Sequence, residues 1–129
     1  MILAIRTEAP DATIALVDGG TVADTHSWHA HRTLARDLLK VIQDRLNSQG
    51  KEWKDISGVI LFKGPGSFTG LRIGASVANT IAFSQKLSIV GVSGDDWLND
   101  GIKRLGKNED DKFVQPFYGS EAHITKPKK

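Results

Sequence analysis

Apolar positions in this chain fall into short runs separated by turn-forming residues, and the change of period from run to run predicts the elements. Ile2-Leu3-Ala4-Ile5 is apolar on both faces of an extended chain, so residues 2–7 read as a strand central in a sheet. Pro10 and Asp11 mark a turn, residues 13–17 a second strand, and Asp18-Gly19-Gly20 a hairpin turn into a third strand over residues 21–28. The chain thus starts as an antiparallel meander. Leu34, Leu38, Val41, Ile42 and Leu46 then recur at offsets of three or four, which predicts a helix over residues 31–47 with Leu39 off its apolar face. A polar connector carrying Trp53 leads to Val59-Ile60-Leu61-Phe62, a strand buried on both faces. A second helix over residues 69–85, a buried strand over residues 87–92 and a third helix from Gly94-Asp95-Asp96 to Leu105 complete the periodic part.

Beyond Gly106 the periodicity stops. Residues 107–112 read as a charged linker without apolar anchors, residues 113–118 as an edge strand in which Pro116 is tolerated, and residues 120–129 as a surface tail. The expected organisation is one α/β lobe over residues 1–106, with a mixed sheet and flanking helices, followed by a linker and tail over residues 107–129.

Between the strands over residues 59–62 and 87–92 lies Gly64-Pro65-Gly66-Ser67-Phe68-Thr69-Gly70-Leu71-Arg72-Ile73-Gly74. Gly64 and Gly66 permit a sharp turn, Pro65 fixes its own φ, and Ser67 or Thr69 can cap the helix that follows. Unpaired N–H groups and a helix dipole there would suit an anion. The phosphate motifs do not match, however. Gly70 is followed by Leu71 and Arg72 rather than Lys and Ser or Thr, and Gly64, Gly66 and Gly70 lack the dinucleotide spacing. A phosphate cradle and a turn whose glycines let strand and helix pack closely both remain open.

The helix it launches is apolar around much of its circumference, with Gly70, Gly74 and Ala78 recurring every four residues and Ala75, Ile81 and Ala82 beside them. Such a helix needs cover on more than one side, and its small residues admit a neighbour at short range. That cover is either a partner protein or the rest of the chain. Arg72, the one charge near its start, could meet an acid or phosphate of a partner, or simply face water.

Composition narrows the function classes. At 129 residues, 40% hydrophobic and 25% charged, the chain has the make-up of one globular domain, and no apolar run approaches the ~20 residues of a membrane span. The N-terminus lacks the basic start of a signal peptide, and with no cysteine the chain has no thiol chemistry, so a cytoplasmic protein without membrane contact is expected. A net charge of +2 does not by itself mark a nucleic-acid binder. His26, His29 and His31 have no acid at ligand spacing, so no metal site is expected. Glu8, Asp11, Asp95 and Asp96 have no matched nucleophile, and Ser67 does not sit in a nucleophile elbow, so no catalytic residue and no cofactor is expected.

Ile2-Leu3-Ala4-Ile5, the eleven residues from Gly64 to Gly74, and Val90-Gly91-Val92-Ser93 resemble the TsaB (YeaZ) family of threonylcarbamoyladenosine biosynthesis proteins. The resemblance runs from Met1 to about Trp97, and the tail around Pro116 and Tyr118 looks like the family's C-terminal end, with most of a second lobe absent between them. It implies the actin-like (ribonuclease H-like) fold and a non-catalytic subunit. That subunit would pair with the catalytic protein TsaD when a threonylcarbamoyl group is placed on the adenosine next to the anticodon of tRNA. TsaD contact through the two first-lobe helices is implied, here at Leu34, Leu38, Val41, Leu71, Arg72, Gly74, Ala75, Ala78, Ile81 and Ala82. On the same ground Gly64, Pro65, Gly66, Ser67, Thr69 and Gly70 form a structural turn. Contact with TsaE and pairing of two copies of the lone chain stay open, and tRNA is reached only through the complex. Where the family usually has Asp, this chain has Arg6, so the carboxylate that actin-like ATPases hold near metal and phosphate is missing. A small nucleotide- or phosphate-binding enzyme that uses the glycine turn is the alternative.

Overall fold

The computed structural model describes residues 1–119. Its elements in chain order are β1 (Ile2–Arg6), β2 (Asp11–Asp18), β3 (Thr21–His29), α1 (Leu34–Ser48), β4 (Gly58–Phe62), α2 (Phe68–Gln85), β5 (Ser88–Val92) and α3 (Trp97–Gly106). The five strands form one sheet in the order β3-β2-β1-β4-β5. β1 lies at its centre, antiparallel to β2 and parallel to β4, with Ala4 opposite both Ala15 and Ile60.

The continuous apolar runs of β1 and β4 follow from cover on both faces. Alternate residues point to opposite sides, so Leu3, Ile5, Ile14, Leu16, Val59, Leu61 and Ile89 enter one core beneath α1 and α2. Ala4, Ala15, Ile60, Phe62, Val90 and Val92 enter a second core capped by Trp97 of α3. Leu34, Leu38, Ile42 and Leu46, spaced by four, form the buried stripe of α1. That helix starts at Leu34, later than its period suggested, because His31–Thr33 is a single 3₁₀ turn in which the Thr33 hydroxyl donates to the Ala30 carbonyl at 2.7 Å.

The largest departure from expectation lies after Gly106. Residues 113–118 form no strand, and residues 107–112 are not a free linker. They make a strap along the outer edge of β5. The Ile89 N–H donates to Asp110 Oδ1 at 3.0 Å and the Gly91 N–H to Asp111 Oδ2 at 2.8 Å. The Asp111 N–H returns a bond to the Ile89 carbonyl at 2.8 Å, and Arg104 Nη1 donates to the Gly91 carbonyl at 2.9 Å. Carboxylates and a guanidinium thus stand where a further strand would have put its backbone. Val114 is 3% exposed, and its N–H and carbonyl bond both ends of the Asn79 amide on α2 at 2.9 Å. Burying a Val contributes about 1.5–3 kcal/mol, an anchor supplied by the segment expected as an edge strand. Residues 120–129, which include His123 and the expected tail, lie outside the described residues.

Candidate functional site

The glycine turn is built against the end of β1. The Ser67 N–H donates to the Glu8 carbonyl at 2.9 Å, the Gly70 N–H reaches Ser67 Oγ at 3.4 Å, and the Leu71 N–H bonds the Ser67 carbonyl at 2.9 Å. Ser67 is therefore the N-cap of α2. Behind the turn, Ser93 Oγ donates to the Gly64 carbonyl at 2.5 Å. The Gly64–Pro65 peptide is cis, and Gly64 has φ +127°.

What fills the space beside these glycines decides between cradle and packing. A Cβ at Gly66 would overlap the Glu8 side chain, one at Gly70 the Thr7 carbonyl, and one at Gly74 the Thr7 hydroxyl. Thr7 is 1% exposed and donates from Oγ1 to the Gly70 carbonyl at 2.7 Å. The chain's own atoms occupy the concavity, three of its amides are already bonded within the chain, and the nearest side-chain charge on β1–β2 is the Glu8 carboxylate, which repels anions. The glycines let α2 pack closely against the end of β1.

Arg6 fits the same picture. Its Nε and Nη2 lie 2.8 and 2.7 Å from Glu8 Oε2, and its guanidinium carbon stands 4.0 Å from the Phe62 ring centroid and 5.6 Å from that of Trp97. The cation is held in place by a carboxylate and two aromatic faces. Glu8 Oε1 is buried with no partner among the described residues.

The small-residue stripe of α2 is used up inside the chain. Of the ten residues expected at a partner surface, Leu34, Leu38, Leu71, Gly74, Ala75, Ala78, Ile81 and Ala82 are buried, Val41 is half-buried, and only Arg72 is exposed. The expectation that these eight face outward is corrected by where α2 sits: Gly70 and Gly74 admit β1, and Ala75, Ala78 and Ala82 face α1 and the first core. What the helical layer does present is Leu39 at 48% exposure and Phe83 at 88%, with Val41, Ile73 and Val77 half-buried at the core's border. Arg72 lies over the Phe68 ring at 5.3 Å, and Phe68 in turn packs on Tyr118 of the strap at 4.6 Å between centroids.

The other candidates do not converge. His26 stacks on Trp28 at 5.8 Å between centroids, while His29 Nδ1 meets Asp11 Oδ1 at 3.0 Å. Asp96 Oδ1 accepts from the Asn99 amide at 2.8 Å, a bond local to the start of α3. Among the described residues no group of three or more His, Cys, Asp or Glu is placed to hold a metal ion, and no helix is long and apolar enough to cross a membrane. Asn79, Arg104, Asp110 and Asp111 were not singled out by the sequence. The one available signal was Asn79, an amide among the few polar residues in the middle of α2.

Arg104 and Asp111 form the best-developed polar cluster. Hydrogen bonds that Arg104 donates to Glu109 and then to Asp111 raise its guanidinium pKa further. Burial pushes the Asp111 carboxyl up, but the Gly91 N–H and Arg104 outweigh it and hold the group below its ordinary value. Across the molecule, the Asp24 carboxyl is likewise held down by its paired bonds from Arg45 at 2.8 and 2.7 Å, against some burial. Both clusters join elements of the fold; neither points a poised acid or base into a cavity.

A sheet in this order, with two helices on one face, a third on the other and a glycine turn launching the second, defines an actin-like α/β lobe. The chain belongs to the family described as TsaD: tRNA N6-adenosine threonylcarbamoyltransferase, whose model matches residues 5–100. The relatives include both TsaB proteins and tRNA N6-adenosine threonylcarbamoyltransferases, among the latter that of Syntrophus aciditrophicus (strain SB), 38% identical over 74 residues and covering 57% of this chain and 21% of that one. The chain is 38% identical over 92 residues to the tRNA threonylcarbamoyladenosine biosynthesis protein TsaB of Escherichia coli (strain K12), covering 71% of this chain and 39% of that one. For TsaB of Bacillus subtilis (strain 168) the identity is 34%, covering 71% and 40%. The solved structure of YeaZ from Pseudomonas aeruginosa superposes with a TM-score of 0.66 at 29% identity, covering 71% of this chain and 43% of that one. The chain therefore spans about two fifths of the length of the curated relatives it matches.

Proposed function

We propose that this chain is a TsaB-like, non-catalytic subunit that binds and supports a TsaD homologue in the threonylcarbamoylation of tRNA. The observation that carries this reading is the family match across residues 5–100, together with 38% identity to a TsaB protein. The non-catalytic role is supported by Arg6, locked on Glu8 where an actin-like ATPase would need a free carboxylate, and by a glycine turn filled with the chain's own atoms.

The partner would dock on the outer surface of α1 and α2, where exposed Leu39 and Phe83 and the cation of Arg72 are available. Leu38 and Ala78 are both 0% exposed, so charges placed there test the fold and not the contact. The surface variants Leu39→Asp, Arg72→Glu and Phe83→Asp are the appropriate probes. Co-expression with the same organism's TsaD homologue is expected to yield a stoichiometric complex that the three variants weaken. No complex with the unaltered chain, or equal recovery with all three variants, counts against the reading. TsaE contact and self-pairing would use the same assay, by adding TsaE or omitting the TsaD homologue.

A further inference from the structure

The two edges of the sheet are protected in different ways. β3 protects itself, with a bulge against β2 and with Asp24 and His26 along the strand, features that discourage pairing with another chain. β5, Ser88-Ile89-Val90-Gly91-Val92, carries no charge and no proline, and its register on β4 is unbroken. Its Ile89, Val90 and Val92 are buried. Nothing in the strand itself prevents a further strand from adding to it, and that protection falls to residues 109–114.

Successive residues of a strand direct their backbone groups to opposite sides. Val92 faces β4, where its carbonyl accepts from the Lys63 N–H at 2.8 Å, so Ile89 and Gly91 face outward. All four of their backbone groups are taken: the Ile89 N–H by Asp110 Oδ1, the Ile89 carbonyl by the Asp111 N–H, the Gly91 N–H by Asp111 Oδ2 and the Gly91 carbonyl by Arg104 Nη1. A second β5 would take the same four. With two copies antiparallel about a twofold axis at Val90, Ile89 of each stands opposite Gly91 of the other, and each such pair exchanges two N–H to carbonyl bonds. Gly91 has no side chain to crowd the isoleucine opposite, and β5 brings no like charges together.

The cover is lightly held. Among residues 107–117 only Val114 is buried. Asn108 and Lys112 have φ of +63° and +66°, a left-handed conformation uncommon for lysine, so surrounding contacts and not local preference hold the bends. A segment with one buried apolar side chain and exposed backbone bonds opens locally while the rest of the fold stays intact.

We propose that residues 109–114 are an autoinhibitory cover over a self-complementary edge. Closed, they keep this chain from pairing through β5; displaced, they let two copies join their sheets there. The second copy is the occupant that the register selects, since pairing about Val90 satisfies every outward backbone group of Ile89 and Gly91 at once.

The test compares the whole chain with Asp110→Ala/Asp111→Ala, which removes both carboxylates that bond the edge, and with Arg104→Ala as a second route to the same opening. Size exclusion with light scattering reads the mass, and NMR-detected hydrogen exchange reads the amides of Ile89, Gly91 and β1 over a range of concentrations. With rising concentration each variant is expected to approach about double the mass of the unaltered chain. Exchange at Ile89 and Gly91 is expected to slow by about tenfold or more over the same range, while in the unaltered chain it is independent of concentration. A variant that keeps its β1 amides protected and has the mass of the unaltered chain at every concentration overturns the proposal. So does a larger mass without concentration-dependent protection at Ile89 and Gly91, which would place the contact elsewhere, or the same concentration dependence in the unaltered chain. Loss of β1 protection in both variants also overturns it, because residues 109–114 would then belong to the core and not to a removable cover.

Discussion

Gly74→Ala sets helix propensity against packing in one substitution. Gly74 is an interior residue of α2, and Ala there would ordinarily stabilise a helix by about 1 kcal/mol. The new methyl would, however, overlap the Thr7 hydroxyl and come within 3.3 and 3.4 Å of Thr7 Cβ and Cγ2. Thr7 is 1% exposed at the end of the central strand, with no free space to move into. Overpacking of this kind costs about 1–3 kcal/mol, and displacing the hydroxyl from the Gly70 carbonyl forfeits about 1 kcal/mol more. The balance is a destabilisation of about 1–3 kcal/mol, or roughly 3–9 °C in Tm for a domain of this size.

A double-mutant cycle isolates the cause. Thr7→Ala removes the hydroxyl and methyl that the new Cβ would strike, at the cost of a hydrogen bond and a small void. In Thr7→Ala/Gly74→Ala the two changes partly fill each other, so the double variant is expected to be more stable than the sum of the singles by at least about 1 kcal/mol. Urea denaturation of the four proteins measures this. A Gly74→Ala protein at least as stable as the parent, or strictly additive losses, would refute close helix-on-strand packing as the purpose of the glycine repeat. The stripe would then be free to meet a partner.

Three further outcomes follow from the polar clusters. Asn79→Ala breaks both bonds to Val114, about 2 kcal/mol of local stability, so amide exchange at Val114 and Phe117 should accelerate roughly thirtyfold while that of β1 stays unchanged; equal protection in both proteins would contradict the strap. Asp24 and Asp111 have folded-state pKa values below the ordinary 3.8, so the stability they contribute is present above that value and lost as pH falls through it. The urea midpoint should therefore hold from neutral pH to about 5 and fall below about 4, with a shallower fall in Asp111→Asn. Arg6→Leu leaves the Glu8 carboxylate, which is only 13% exposed, without its cation, and should destabilise the chain by about 1–3 kcal/mol; Arg6→Leu/Glu8→Gln should recover part of the loss, as melting curves would show.

The periodic part of the fold was legible because each run carries one dominant signal. Continuous apolar strands at β1 and β4 implied cover on both faces, and the four-residue spacing of Leu34, Leu38, Ile42 and Leu46 implied the inward stripe of α1. The same spacing in α2 said that small residues meet something closely, but not what. That depended on Thr7, a single polar residue at a strand end whose burial only the tertiary arrangement determines. The strap was illegible for a different reason. Residues 107–112 carry the composition of a disordered linker, yet Asp110 and Asp111 are ordered by unpaired amides of β5, a demand created by the sheet and invisible in local sequence. Eight of the expected partner residues failed to face outward because residues expected on an apolar helix face are the ones a core consumes first.

The outward surfaces that remain are separated by the thickness of the sheet. Leu39 and Phe83 belong to the helical layer over the first core, whereas α3 covers the second. The strap joins the two sides: Asn79 of α2 holds Val114, Asp111 holds Gly91, and the same Asp111 holds Arg104 of α3. A partner seated on the helical layer would therefore leave α3 uncovered, and any influence between the two sides would pass through residues 109–114. Asn79→Ala tests this, since it loosens the α2 end of the strap while leaving Leu39 and Phe83 in place. Recovery of the TsaD-homologue complex equal to that of the unaltered chain would make the docking surface independent of the strap; a loss of that complex would make the strap part of what holds the surface in shape.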